Sequence, residues 1–385
     1  MADDAGALSG VDTAMLELMV RSLLGEPAAV VAREWSCVPL GGGAGEGLGL
    51  YQVSGSARVG SASRSWALVV KVCAAADEAD PGAWDYPARE GLTYGSGLLD
   101  ALPGGLTAPR CLAVETQPDG TSWLWLEAVT EALPGPWPLE RYARVAHELG
   151  RFNGAYLAGA PLPDQPWLSR GFLRGWVEAS GPAMAEFEHL AGPGGPPVLW
   201  HLYPPSVIDE LRRLWDERER FLTALDRLPQ TFCHHDAFRR NLLGRKGPKG
   251  HELVALDWAD AGHAAVGEEL VPLVLGSLLF FEAVGIAPHD LDAACFASYM
   301  VGLRESGWAG DERLARLGFT ADAALHTTVG ALRQALPLVT DPALHPFVED
   351  LFGHPLEEVV EGWAALWPFQ FELADEARAL LPAIG

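Results

Sequence analysis

Positive charge is scarce in this chain: 27 lysines and arginines stand against 51 aspartates and glutamates, for a formal net charge of −24 at pH 7. Nucleic acids and anionic membranes are bound through basic surface, so neither is expected as a partner. Cysteine is sparse as well. Cys37, Cys73, Cys111, Cys233 and Cys295 stand singly inside apolar stretches, without a Cys-x-x-Cys pair. That pattern excludes zinc-ribbon and dithiol chemistry and fits a reducing cytoplasm. No run reaches the roughly 20 apolar residues that a membrane helix needs; the richest, Leu270 to Phe281, is too short. The opening MADDAGALSG lacks the basic and apolar regions of a secretory leader. No internal repeat is evident, and His147, His189, His326 and His354 have no metal-ligand spacing. A dinucleotide-binding turn is also missing, because the glycine-rich run Gly41 to Gly47 joins two strands and does not open a helix.

What is present is ample apolar material, 49% of 385 residues, enough for two domains or one large one. The periodicity predicts a helix over residues 11–24, with Asp12 or Thr13 as cap and Leu16, Met19, Val20 and Leu23 as its buried stripe. Short β-prone runs follow at Trp35 to Leu40, Leu48 to Ser54, Ser65 to Val72, Cys111 to Glu115 and Ser122 to Val129, together a five-stranded antiparallel sheet. Between the third and fourth runs, a helix is predicted from Glu90 to Leu99. The breaker-rich segment from Ala132 to Pro138 reads as a linker between lobes. Beyond it, helical spacing is predicted from Pro138 to Gly159, Ser206 to Leu228, Val266 to Glu282, Asp290 to Ser306, Thr320 to Leu336 and Leu356 to Leu381. The proline-rich, tryptophan-bearing stretch from Ala160 to Ser206 is expected to form lids or binding loops.

The chemistry concentrates between Thr231 and Trp258. His234 and His235 precede Asp236, Asn241 follows five residues later, and the apolar run Leu253 to Leu256 ends in Asp257. A carboxylate that can take or orient a hydroxyl proton, with an amide oxygen and a second carboxylate as hard ligands for Mg2+, suits phosphoryl transfer. Asp236 is then the base, and Asn241 and Asp257 the metal ligands. Lys71, inside the apolar strand, needs a partner, and Glu90 on the following helix supplies one; otherwise Lys71 is an edge-strand residue with a solvated head. The glycine-rich run, with Gly43 and Gly45, either lies over nucleotide phosphates or is a plain hairpin turn.

His-x-Asp-x-x-x-x-Asn followed by a strand ending in Asp resembles the catalytic and metal-binding segments of the protein-kinase-like fold. Asp257-Trp258-Ala259 stands where protein kinases have Asp-Phe-Gly, and no Ala-Pro-Glu follows. The resemblance is therefore to the aminoglycoside phosphotransferase and choline-kinase-like family of small-molecule kinases. It implies an α+β, two-lobe fold: a nucleotide-binding lobe over residues 1–130 and a mainly helical lobe over 131–385 with the catalytic loop and acceptor site. It implies ATP or GTP as donor, Mg2+, Lys71 paired with Glu90 on the phosphates, and the backbone around Glu127 to Val129 against the adenine. The acceptor would be a hydroxyl group of a small molecule, with aminoglycosides and other antibiotics among the candidates. A silent nucleotide-binding module and a protein kinase are the alternatives. Two positions depart from the family pattern: His235 replaces a Gly before Asp236, and Asn153 replaces a His in Leu149-Gly-Arg-Phe-Asn-Gly. Asp260, Glu268 and Glu269, just past Asp257, either attract a cationic acceptor at the cleft mouth or cap the following helix.

Overall fold

A computed structural model of the chain describes residues 11–40, 49–76, 79–190, 196–247 and 250–384. Gly43 and Gly45, with the rest of the glycine-rich run, lie outside the described residues.

Helix α1 (Thr13–Leu24) begins where the Asp12 carboxylate accepts from the Ala14 amide, and ends at Gly25, whose φ of 67° closes the last turn. Strands β1 (Val30–Pro39), β2 (Gly49–Val59) and β3 (Ala62–Cys73) follow. Helix α2 (Arg89–Gly95), the two-residue strand β4 (Leu106–Thr107), β5 (Cys111–Thr116) and β6 (Ser122–Glu127) come next. The five-stranded sheet has the order β1-β2-β3-β6-β5, and each of its pairings is antiparallel. In β3 the period of two sends Trp66, Leu68 and Val70 into a core shared with Leu16, Met19 and Val20 of α1. Lys71 is consequently on the other face, toward α2. That helix is shorter than the predicted Glu90 to Leu99, because Gly97 at φ 75° breaks it into a separate 3-10 turn, Leu98–Ala101.

The helical lobe opens with α3 (Leu139–Leu157), α4 (Phe172–Glu178), α5 (Gly181–Leu190), α6 (Pro197–Leu202) and α7 (Pro205–Leu225). The stretch predicted as loops is therefore largely helical. Its prolines misled because Pro197 and Pro205 sit in first helical turns, where a missing amide hydrogen costs nothing. Small strands then carry the functional segment: β7 (Gln230–Cys233), β8 (Leu242–Gly247), β9 (Gly250–Ala255) and β10 (Gly262–Ala265). β10 pairs antiparallel with β7, β8 with β9, and β4 runs parallel to β9.

A π-helical turn (Pro272–Gly276) leads into α8 (Ser277–Leu279). The chain finishes with α9 (Pro288–Glu305), α10 (Glu312–His326), α11 (Leu332–Thr340), α12 (His345–Phe352) and α13 (Leu356–Leu380). The predicted helix from Thr320 to Leu336 is thus two helices, broken at Thr327 and Thr328. α3 and α9 cross with their backbones in contact. A Cβ at Gly150 would collide with the Tyr299 carbonyl, and one at Gly302 with the His147 carbonyl, so both positions require glycine. Around this crossing, Phe152, Phe232, Trp258 and Tyr299 are fully buried and form the floor beneath the functional segment. No helix among the described residues is long and apolar enough to cross a membrane.

Candidate active site

Lys71 meets two carboxylates from opposite sides of the cleft. Its Nζ lies 2.7 Å from Glu90 Oε2 on α2 and 2.6 Å from Asp257 Oδ1 just beyond β9. Burial opposes the charge on Lys71, but the two carboxylates outweigh it and hold the ammonium above its ordinary pKa. Burial likewise opposes ionisation of Asp257, and Lys71 brings its pKa below the usual carboxylate range. Glu90 is deeper: burial is the largest influence and pushes it up, with Lys71 pulling the other way. One cation between two anions leaves a local excess of negative charge, a setting made for a further cation.

His234 joins the two functional segments. Its Nδ1 accepts from the Asp236 amide at 3.2 Å, while Nε2 lies 2.7 Å from the Leu256 carbonyl. An amide can only donate and a carbonyl only accept, so the ring is neutral with its proton on Nε2. Burial agrees, lowering its pKa to about 4. The imidazole is thus a spacer between the loop of Asp236 and the residue before Asp257. Asn241 completes the loop: its Nδ2 donates to Asp236 Oδ2 at 2.6 Å and to the Asp236 carbonyl at 3.1 Å. With the amide nitrogen committed to Asp236, the Asn241 Oδ1 is its remaining polar atom. Burial, then the neighbouring Asp260 and Asp257, push the Asp236 carboxyl well above its ordinary value.

His235 occupies the left-handed region at φ 68°, as does Asp257 at φ 60°. The turn that glycine would make without strain is therefore retained here by histidine, at a cost of roughly 1–2 kcal/mol. The ring is buried and stacks on Phe172 of α4 at 4.6 Å between centroids. Burial keeps it neutral, with a pKa of about 3.

Asn153 supports the same loop from below. Its Nδ2 donates to the Phe232 carbonyl at 2.9 Å, and its Oδ1 accepts from the Tyr299 hydroxyl at 2.8 Å. The departure at this position therefore keeps a buried polar link between α3, β7 and α9. Glu268 and Glu269 are not at the cleft mouth. They are 7% and 1% exposed, with Glu269 Oε2 accepting from the His234 amide at 2.8 Å and Glu268 Oε1 from the Ala265 amide at 2.6 Å. Strand β10 explains the displacement: pairing with β7 turns the chain back under the loop of Asp236. Asp260 stays near Asp236 and Asp257, and burial followed by Asp257 pushes its carboxyl up to about 6.

At the end of β6, the Glu127 side chain is taken up by Arg245 at 2.5 Å and the Arg110 amide at 3.1 Å. Its amide donates to the Arg110 carbonyl at 3.0 Å, so the Glu127 backbone is partly engaged as well. No main-chain hydrogen bond engages Val129 among the described residues. The linker beyond is pinned to the loop of Asp236, since the Trp137 ring meets the guanidinium groups of Arg141 at 4.3 Å and Arg239 at 4.7 Å. Arg89 was not singled out from sequence, and its partners are backbone carbonyls that leave no residue signature.

No family model and no curated protein matches this chain. Several solved structures do. A spectinomycin phosphotransferase in complex with ADP and spectinomycin is 12% identical, with a TM-score of 0.52 over 96% of this chain and 99% of that one. An amicoumacin kinase in complex with AMP-PNP and Ca2+ is 15% identical, with a TM-score of 0.51 over 94% of this chain and 96% of that one. A microcompartment-associated aminopropanol kinase is 15% identical, with a TM-score of 0.50 over 95% and 98% of the two chains. At these identities the likeness establishes the fold: the protein-kinase-like two-lobe architecture of small-molecule kinases, with an antiparallel sheet in one lobe and mainly helices in the other.

Proposed function

We propose that this chain transfers the γ-phosphoryl group of ATP or GTP to a hydroxyl group of a small molecule. The observation that carries the reading is Lys71 held between Glu90 and Asp257, with His234 tying Asp257's strand to the loop of Asp236. Phosphoryl transfer asks a protein mainly for such positioning and for cationic stabilisation. Lys71 would meet the phosphates, with Glu90 fixing its direction. The backbone from Glu127 to Val129 would receive the base, and Gly43 and Gly45 are kept as candidate nucleotide-binding residues from the sequence alone. The nucleotide lobe then covers residues 1–130 and the acceptor lobe 131–385.

Asp236 would take the hydroxyl proton. The bond from Asn241 orients the carboxylate, and a carboxyl raised above its ordinary pKa is a stronger base once ionised. Asn241 Oδ1 and Asp257 are two hard oxygens, which fits Mg2+, an ion usually held by one or two carboxylates plus phosphate and water. When bound, the ion would offset charge developing on the phosphate oxygens. Among the described residues no cluster of three or more His, Cys, Asp or Glu forms a dedicated metal cage.

The acceptor is a small hydroxylated molecule, with antibiotics included on the strength of what the spectinomycin and amicoumacin kinases act on. A preference for cationic acceptors now leans on Asp260 and the net acidity alone, because Glu268 and Glu269 are spent on the backbone. No disulfide joins any of the five cysteines among the described residues, which suits a reducing cytoplasm. The test is incubation of the protein with Mg2+ and ATP or GTP against aminoglycosides, other antibiotics, amino alcohols and sugars, read by mass spectrometry. A phosphorylated small molecule is expected; nucleotide binding with no product from any class would favour a silent module.

A further inference from the structure

Arg89, the residue before Glu90, is 1% exposed yet forms no ion pair among the described residues. Its donors go to backbone carbonyls instead. Nε donates to Trp167 O at 2.8 Å, Nη1 to Trp84 O at 2.8 Å and to Ala259 O at 2.9 Å, and Nη2 to Ala83 O. These acceptors belong to three separate segments: the connection leading into α2, the stretch ahead of α4 in the helical lobe, and the chain two residues beyond Asp257. Burial opposes its charge, and Asp260 and Asp85 favour it only from beyond ion-pair distance, so four bonds to main-chain carbonyls hold the guanidinium in place.

The surroundings reinforce the same joint. Trp84 crosses onto the helical lobe, its ring 6.1 Å from Phe172 and 5.7 Å from Trp176 in edge contacts. The Arg333 guanidinium lies 4.6 Å from the Trp84 ring and 4.5 Å from that of Trp176. Gly175 of α4 makes room for Trp84, since a Cβ there would collide with the indole. Phe172, in turn, stacks on His235 beside Asp236.

We infer that Arg89 is a positioning residue for the transfer: its guanidinium fixes α2, and with it the Glu90–Lys71 pair, against the chain following Asp257. The inference rests on the phosphotransferase reading. A role as a phosphate clamp is excluded, because four of the five N–H donors are already committed and no bidentate fork is left to offer. Lysine could not substitute, since a compact ammonium cannot span four carbonyls from three segments. The joint places the nucleotide side and the acceptor side of the site in one geometry. A misplacement of about 1 Å between them would cost on the order of 10²-fold in rate.

The experiment uses the full chain with Arg89→Lys and Arg89→Ala. With Mg2+ and ATP, and an acceptor from the panel or water in its place, kcat is expected to fall about 10²-fold in both variants. The nucleotide KM should move only a few-fold. Millimolar guanidinium should restore part of the loss in Arg89→Ala but none of the loss in Asp236→Asn. Folded variants with unchanged kcat, or a loss that follows unfolding and is not rescued, would overturn the inference. Hydrogen exchange separates it from the parent reading. If Arg89→Lys loosens residues 89–95 and 257–261 together, the joint stands even where the wild type turns nothing over, which would count against the phosphotransferase alone. If neither segment loosens, the joint falls.

Discussion

Replacing Asp236 by asparagine is expected to cut turnover by about 10²–10⁴-fold while leaving nucleotide affinity within a few-fold of the wild type. The substitution keeps an oxygen to accept from Asn241, which lies 2.6 Å from Asp236 Oδ2, so the loop has no reason to move. What disappears is the ability to take a proton. His234 cannot replace it. Its Nδ1 already accepts from the Asp236 amide and its Nε2 proton is held by the Leu256 carbonyl, leaving no lone pair directed at substrate. Initial-rate measurement beside calorimetric titration of the nucleotide separates the two quantities. A variant that keeps its rate would remove Asp236 from the chemistry; one that loses nucleotide binding equally would make it structural.

Lys71→Ala should be the more damaging change to the folded state. Glu90 is 2% exposed at its side chain and would be left without the cation that lies 2.7 Å away. Breaking a buried pair from one side costs about 3–5 kcal/mol, whereas replacing both partners by apolar groups can be close to neutral. Chemical denaturation should therefore show a large loss for Lys71→Ala and recovery in the double variant Lys71→Met, Glu90→Leu. Nucleotide binding should be lost in both. Recovery of stability without recovery of binding assigns the pair to function. Equal stability of wild type and Lys71→Ala would mean that the pair is solvated in solution.

The sheet was legible because Trp66, Leu68 and Val70 alternate with Ala67, Val69 and Lys71, and only one register buries the large apolar set. That same alternation points Lys71 into the cleft. Asp236, Asn241 and Asp257 could be proposed as a set because hard-ligand chemistry would use those residue types within a short span. Glu268 and Glu269 were misplaced because proximity in sequence to Asp257 says nothing of a strand such as β10 that turns back beneath the loop. The helices between 160 and 206 were hidden by prolines that begin helices as readily as they end them. Arg89 was invisible for a different reason: its partners are carbonyls, which every residue possesses. The left-handed backbone at His235 was signalled only by the glycine that the family pattern has there, since a histidine by itself does not mark a positive φ.

The most direct measurement is a calorimetric titration of AMP-PNP into the wild-type chain and into Asp257→Asn, each with and without Mg2+. A cleft that holds a metal nucleotide between Lys71, Asn241 and Asp257 requires the ion for tight binding in the wild type and loses that dependence with Asp257→Asn. Binding that ignores both the ion and the substitution, or no binding at all, would contradict the account.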